Sequence, residues 1–485
     1  MSLLSNTIAS EEHGGSFYNG VATQSVRIKR ASSQYLNRSI GSARDRQKLT
    51  FAFWVKLTGA AGSNGSTTGI IIAQGDAGAG ASQSGSYVSF NSGHLRVVEA
   101  VSNTLIWEHK LTADFRDYSA WYHFVVALDT TQATNTNRVK IYLNGVLQTD
   151  YSTRTYPDQD ASQRFGMSGT DAIGVGIDGG SIWSAVHYDG YIADFHYVDG
   201  TQLDASYFGE TKNGVWIPKE YTGSHGTAGY NLKFDQVGVG TASTSTIGAD
   251  SSGNDLHFTS GNLDAYDCAM PDSPENNFCT MNPLDTVGTI ESSEGNLEID
   301  SVGDNENING TMAVSTGKWY WEVRADSVNA SFIGVKWMDG DNTQKHWENG
   351  YGISYYSSNG NKYAINGGES YGDAYSSGEI IGLALDMDGQ TLTYYNEGVS
   401  QGAIDFSSRS EYTLLAPALS SAQNSSAMTV NFGADSTFAG TETATTNADG
   451  NGYGTFNMAV PSGYLALCTA NLPEPTIGPN SDTQA

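Results

Sequence analysis

The chain has 485 residues and a formal net charge of −28 at pH 7. So acidic a surface repels nucleic acid, and no apolar run reaches the ~20 residues that span a bilayer, so no membrane insertion is expected. At ~150 residues per domain the length leaves room for about three domains.

Short β-branched and aromatic runs alternate with Gly/Asn/Asp/Ser clusters along the whole chain, and no long amphipathic helical pattern interrupts them. That pattern predicts an all-β protein of antiparallel sandwiches with almost no helix. The start, MSLLSNTIASEEHGG, lacks the basic and apolar regions of a secretory signal. Three cysteines, Cys268, Cys279 and Cys468, supply no even disulfide framework, which suits a reducing cytosol. Cys268 and Cys279 are open to pairing, but ordinary buried thiols are the expectation. The segmentation read from composition is an N-terminal segment 1–20, a first sandwich 21–210, a β-rich connector 211–290, a second sandwich 291–440 and a C-terminal segment 441–485.

Residues 21–60 carry Arg27, Lys29, Arg30, Arg38, Arg44, Arg46, Lys48 and Lys56 against Asp45 alone. Two readings are open: charge that guards strand edges, or a basic strip that meets an acidic surface of another subunit. LTFAFWVKL (49–57) alternates as a half-buried strand. The Gly-rich GDAGAGAS (75–82) runs into another strand rather than a helix, so it reads as a sandwich loop and not a phosphate cradle. WYHFVVAL (121–128) and VKIYL then flank a polar loop, and Asn144-Gly145 closes a tight hairpin. GYIADFHYVDG follows as a last strand.

Trp54, Trp121–His123, Tyr142–Gly145 and Gly190–Phe195, in this order, resemble the laminin-G/concanavalin A-like lectin superfamily over about residues 20–210. The resemblance implies a jelly-roll sandwich and leaves function open, since that superfamily includes lectins, lyases, hydrolases and structural modules. His123, in an apolar strand, reads as a satisfied core or edge histidine. Asp178, Asp189 and Asp194 are the candidate calcium ligands, as in some members of that superfamily; no other cofactor is expected.

In the connector, GYNLKFD and NDLHFTSGNL read as two strands joined by a long polar loop. The block from YFGETKNGVWIPKEY to NNFCTMNPLD resembles a connector that follows a laminin-G-like domain in virion proteins of marine bacteriophages. Beyond it, GKWYWEV (317–323), FIGV (332–335), GYGISY (350–355), IIGLALDMDGQTLTYYNEG, YTLLAPALS (412–420) and MTVNFG (428–433) resemble the SPRY/B30.2 domain over about residues 290–440. Asn396-Glu397-Gly398 inserts one residue into that family's N-G turn, which predicts a bulged turn.

Glu298 and Asp300 alternate in NLEIDSVGDNE as retaining β-glucanases mount their catalytic acids, but the third acid is replaced by Val302 or Gly303. A retaining pair needs its carboxyls about 5–5.5 Å apart across the scissile bond, and two acids spaced i, i+2 on one strand do not supply both roles. They read as a solvated strand face, and no catalytic residue is assigned. Exposed aromatic and polar loop residues fit an adhesin instead, because rings stack on sugars and dominate protein contacts. The candidate ligand-binding residues are Trp337, Asp339, Asp341, His346, Trp347, Tyr355, Tyr356, Tyr371 and Tyr375.

The resemblances imply a bacteriophage virion protein, a tail or head fibre or a capsid decoration, assembled in the host cytoplasm. Its expected partners are other virion proteins and a host surface glycan or protein. Self-association is expected, trimers being common among such appendages. The runner-up is a polysaccharide depolymerase or lyase acting through the first sandwich. GTFNMAVPSGYLALCTANLP (454–473) has the apolar density of a strand pair and needs a surface to cover, its own sandwiches or a neighbour.

Overall fold

The computed structural model describes residues 17–473, apart from 42–43, 59–67, 76–84, 103, 179–180, 184–186, 342, 349 and 365–366. Residues 1–16 of the N-terminal segment, most of the Gly-rich loop 75–82 and residues 474–485 therefore lie outside the described ones. The protein is all-β, with 3% helix and 45% strand. Within the described residues it divides into one unit ending at Glu275 and a second spanning Asn276–Pro473.

The first unit is built on a seven-stranded and an eight-stranded sheet. Lys48–Leu57, rich in β-branched and aromatic residues, lies between Trp121–Asp129 and Gly190–Asp199, antiparallel to both. Its alternate residues Leu49, Phe51, Phe53 and Val55 enter one core with Val88, Val97, Phe124 and Phe195. Asn144 and Gly145 turn the chain at φ 45° and 85°, so Leu143 pairs with Val146 across a two-residue loop. Positive φ at both central positions is the geometry that Asn-Gly favours.

Gly190–Asp199 is buried on both faces, because the chain after it folds back as a further layer. Leu203, Ala205 and Phe208 pack on Ala52, Val125 and Val198, with Trp216 and Tyr221 beside them. Tyr230–Leu232 joins the seven-stranded sheet and Thr259–Gly261 the eight-stranded one. The stretch expected to be a connector is thus no separate body: residues 211–275 belong to the first unit. The physical reason is the apolar outer face of the seven-stranded sheet, which two layers alone would leave in water.

The second unit again has a seven-stranded and an eight-stranded sheet. Lys318–Ser327 runs between Ile380–Asp386 and Ala427–Asn431 in one; Ser331–Trp337 runs between Gly352–Tyr356 and Leu415–Ser421 in the other. Trp321, Val323, Ile333, Val335, Ile353 and Leu383 form its core. The expected bulge at Asn396-Glu397-Gly398 is absent. Asn396 pairs with Val399 across Glu397 and Gly398, at φ 48° and 79°, and the register slips further in, between Thr393 and Tyr395. The unfavourable φ of Glu397 is offset locally: its carboxylate accepts the Ile380 N–H at 2.6 Å and its own N–H reaches the Ile380 carbonyl.

Residues 454–473 form no strand pair. Their strand is Leu465–Ala466, parallel to Trp319–Tyr320, with single bridges from Phe456 to Asn447 and from Cys468 to Phe278, and Phe456 packs edge-on to Tyr320 at 5.2 Å. The segment covers the sandwich of its own unit.

Candidate functional site

In the second unit, alternation sorts the candidate residues before any contact is considered. Tyr355 shares a face with Ile353 and is fully buried. Tyr375 and Tyr394 pack against it at 5.1 Å, and the Tyr375 hydroxyl donates to the Ser331 carbonyl at 2.9 Å. Burial raises the pKa of all three phenols, so they are neutral core groups. Tyr371 is half-buried against the same cluster and its hydroxyl is tied to the Gly402 carbonyl. Trp337 is half-buried, 6.3 Å from Tyr412.

His346 is completely buried, its Nδ1 2.7 Å from Asn307 Oδ1. Burial pushes its pKa down to about 3, with Lys336 adding to the shift. His346, Tyr355 and Tyr375 thus leave the set of exposed loop groups: the loop that carries His346 folds onto the sheet and buries the ring. Asp339 and Asp341 are exposed. Asp339 accepts Thr413 Oγ1 at 3.2 Å, and Asp341 caps its own turn through Thr343, whose bonds lower its pKa.

Trp347 and Tyr356 come together. Phe332 lies between them, 5.0 Å and 12° from Trp347 and 4.5 Å and 19° from Tyr356, with Tyr363 edge-on at 5.2 Å. Trp347 Nε1 donates to Ser420 Oγ at 3.1 Å, which fixes the indole. Trp347, Tyr356 and Tyr363 are half-buried and keep part of each ring in solvent, while Phe332 is buried beneath them. Sequence reading missed Phe332 and Tyr363. The signal was present for Phe332, since Ile333 and Val335 claim the inner face and leave Phe332 to the outer one.

Beside the buried Tyr375 lies an open cleft of about 430 Å³, walled by Asn329, Ser357, Ser358, Ser376 and Ser377. Serine hydroxyls, an amide and turn backbone give it donors and acceptors of both kinds. Glu298 accepts Ser293 Oγ at 2.6 Å, and Asp300 is exposed opposite Glu291.

In the first unit, the strand Gly190–Asp199 changes neighbours midway, from Val26–Ile28 to Tyr230–Leu232. A bulge there puts Asp194 at φ 44°. Its carboxylate meets His196 Nε2 at 3.1 Å and accepts Asn231 Nδ2 at 3.2 Å. Burial opposes its charge, but His196 and Asn231 outweigh burial and hold its pKa below the usual carboxylate range. His196 Nδ1 lies 3.1 Å from His225 Nε2, with the two rings parallel at 5.4 Å. Burial, then His196, brings His225 down to about 4. Tyr221 stands edge-on to His225 at 4.9 Å. Carboxylate, imidazole and a half-exposed second imidazole thus form a hydrogen-bonded chain.

The same geometry bears on the candidate calcium ligands Asp178, Asp189 and Asp194. Asp189 and Asp194 are five residues apart, up to roughly 16 Å at ~3.3 Å per residue less the bulge at Asp194, whereas calcium ligands sit 2.3–2.6 Å from one ion. Asp194 is already committed to His196 and Asn231. Asp178 ends the strand Gly176–Asp178, and its side chain lies outside the described residues. No group of three metal-binding side chains occurs among the described residues. His123 is buried and accepts Trp216 Nε1 at 3.1 Å.

Residues 30–205 match the family model of the concanavalin A-like lectin/glucanases superfamily, and residues 318–435 match the SPRY domain. Among solved structures, the SPRY domain of human HERC1 is 17% identical, covering 31% of this chain and 96% of that one, with a TM-score of 0.28. The TRIM65 PSpry domain is 16% identical, covering 32% and 92%, with a TM-score of 0.27. No curated protein matches the chain.

Proposed function

We propose that this chain, a concanavalin A-like lectin domain followed by a SPRY domain, works as a non-catalytic adhesion protein of a bacteriophage virion, on a tail fibre, head fibre or capsid decoration. Both domain types are generally binding modules. The observation that carries the reading is the ring stack Trp347–Phe332–Tyr356 with Tyr363 beside it. It is a rigid aromatic patch of the kind that stacks on sugar rings or anchors a protein surface at little entropic cost. The virion assignment is supported by the resemblance of the block 207–285 to phage virion connectors. Binding of the purified chain to host cells or their surface glycans is the test. Trp347→Ala and Tyr363→Ala should each weaken it ~10-fold, about 1.4 kcal/mol, with the circular dichroism spectrum unchanged; unchanged binding in the double variant would overturn the site. Immunogold labelling of purified particles tests the location.

A second reading, a polysaccharide depolymerase or lyase acting through the first sandwich, is favoured by one observation. The Asp194–His196–His225 chain beside Tyr221 is the kind of set that moves protons. Release of reducing ends or unsaturated sugars from host capsule, lost in His225→Ala, would replace the adhesion reading with this one.

A further inference from the structure

The inner face of the eight-stranded sheet in the first unit carries a polar row. Arg38, Asp171, Gln74, Ser86, Glu99 and Trp107 are successive register partners on six neighbouring strands. Directly opposed residues point to the same side of a sheet, so this row runs between the two layers. Over most of its length it is satisfied by the segment Gln163–Gly166. Trp107 Nε1 donates to Gln163 Oε1, Glu99 accepts the Arg164 N–H, Ser86 Oγ the Phe165 N–H and Gln74 Oε1 the Gly166 N–H.

At the Arg38 end the account does not close. Arg44 reaches in and pairs with Asp171, both side chains fully buried. Its Cζ lies 4.8 Å from the centre of the Tyr197 ring, Arg38 lies 5.8 Å from Tyr230, and the two tyrosine rings are 5.4 Å apart. Among the described residues, Arg44 Nε and Nη1, Arg38 Nη1, Gln74 Nε2 and the hydroxyls of Tyr197 and Tyr230 are buried without a well-formed hydrogen bond, against one such acceptor, Asp171 Oδ1, although Gln74 leans on Asp171 and the Tyr197 hydroxyl on Arg44. Four of these atoms only donate, and both hydroxyls can. Two guanidiniums face one carboxylate. Two further acids act on the pair through space, Asp250 on Arg38 and Asp199 on Arg44, but their oxygens are taken up by N–H groups: Asp199 accepts from Asp45, and Asp250 from Asn231 and Leu256. Buried donors left unpaired are costly, and this imbalance asks for an acceptor that carries negative charge.

We propose that a small inorganic anion of halide size is held inside the first sandwich by Arg38, Arg44, Gln74, Tyr197 and Tyr230, as an integral part of that unit. The site lies between the sheets, so an anion too large to be enclosed there does not substitute. Because such an ion binds the folded chain and not the unfolded one, it stabilises by mass action.

The test uses the full chain in urea, with sodium bromide, chloride or gluconate at equal ionic strength. Hydrogen exchange of Gly169–Ile173 and Gly190–Asp199, read by mass spectrometry, isolates this unit. Halide is expected to slow exchange and raise the urea midpoint of these strands relative to gluconate. Crystals grown in bromide should show an anomalous peak within contact of Arg44 and Tyr230. Tyr197→Phe and Tyr230→Phe, which remove a hydroxyl each and keep the packing, should together reduce the halide response at least several-fold. Equal protection in all three salts would overturn the proposal and leave ordered water as the occupant. A halide response undiminished in the double variant, or a bromide peak elsewhere only, would also overturn it.

Discussion

The Glu322 carboxylate accepts the Met458 N–H at 2.7 Å, tying the segment after the second sandwich to its central strand. The same carboxylate accepts the Asn457 N–H at 2.8 Å, the Tyr320 hydroxyl and Asn431 Nδ2. Four donors converge on two buried oxygens. Glu322→Gln puts an NH₂ against some of them and should cost about 1–3 kcal/mol. Faster hydrogen exchange over 454–468 would register it; unchanged exchange there would show that the apolar contacts of Phe456 alone hold the segment.

Burial pushes the Glu322 pKa up to about 7 from 4.5, against the pull of those donors. A carboxyl with a raised folded pKa favours the protonated form, so its contribution is full below about 4.5 and is lost as pH rises through about 7. Protection of 454–468 should therefore decline between about pH 4.5 and 7 and level off above. The decline should be absent in Glu322→Gln, which has nothing to titrate.

Histidines give the first unit the opposite dependence. Burial brings His109 and His123 down to about 3, and His225 to about 4. A depressed histidine stabilises the fold above its unfolded pKa of about 6.5 and loses that contribution as pH falls toward 3–4. Acid unfolding of the first unit should begin below about pH 6.5. His109→Phe, which removes two unpartnered ring nitrogens, should make the acid side of the profile shallower.

The basic strip at 21–60 is largely consumed inside its own unit. Arg27 Nε meets Asp267 at 2.9 Å and Lys56 meets Asp272 at 2.8 Å, all four side chains no more than 1% exposed. Lys29 also reaches Asp267. The strip therefore does not offer its full charge to an acidic neighbouring subunit. Asp267→Ala strands Arg27 in the interior and should cost about 3–5 kcal/mol, whereas Arg27→Met with Asp267→Leu should cost much less. A urea-unfolding cycle over the single and double variants measures the difference.

Gly145 sits at φ 85°, where an added Cβ would fall 2.5 Å from the Trp216 ring. Gly145→Ala should cost about 1–3 kcal/mol through backbone strain and displacement of the indole. Loss of the Trp216–His123 hydrogen bond should appear as a shift of the His123 ring resonances.

Alternation and turn chemistry are local, and they made most strands, the Asn144-Gly145 turn and both sandwiches legible from the chain alone. Parity also carried Tyr355 on the face of Ile353 and Phe332 opposite Ile333, a signal the sequence reading left unused when it set Tyr355 among exposed loop groups. What local pattern does not carry is whether a given face is covered, because the cover comes from far along the chain. Trp216 closes over His123, the 338–351 loop buries His346, and Phe456 lies on Tyr320. Nor does it carry the partner of a charge. Arg27 and Lys56 look like free surface cations until the fold brings Asp267 and Asp272 beside them, more than two hundred residues away in sequence. Low dielectric then makes those pairings obligatory, and only the tertiary structure decides which cations they use up.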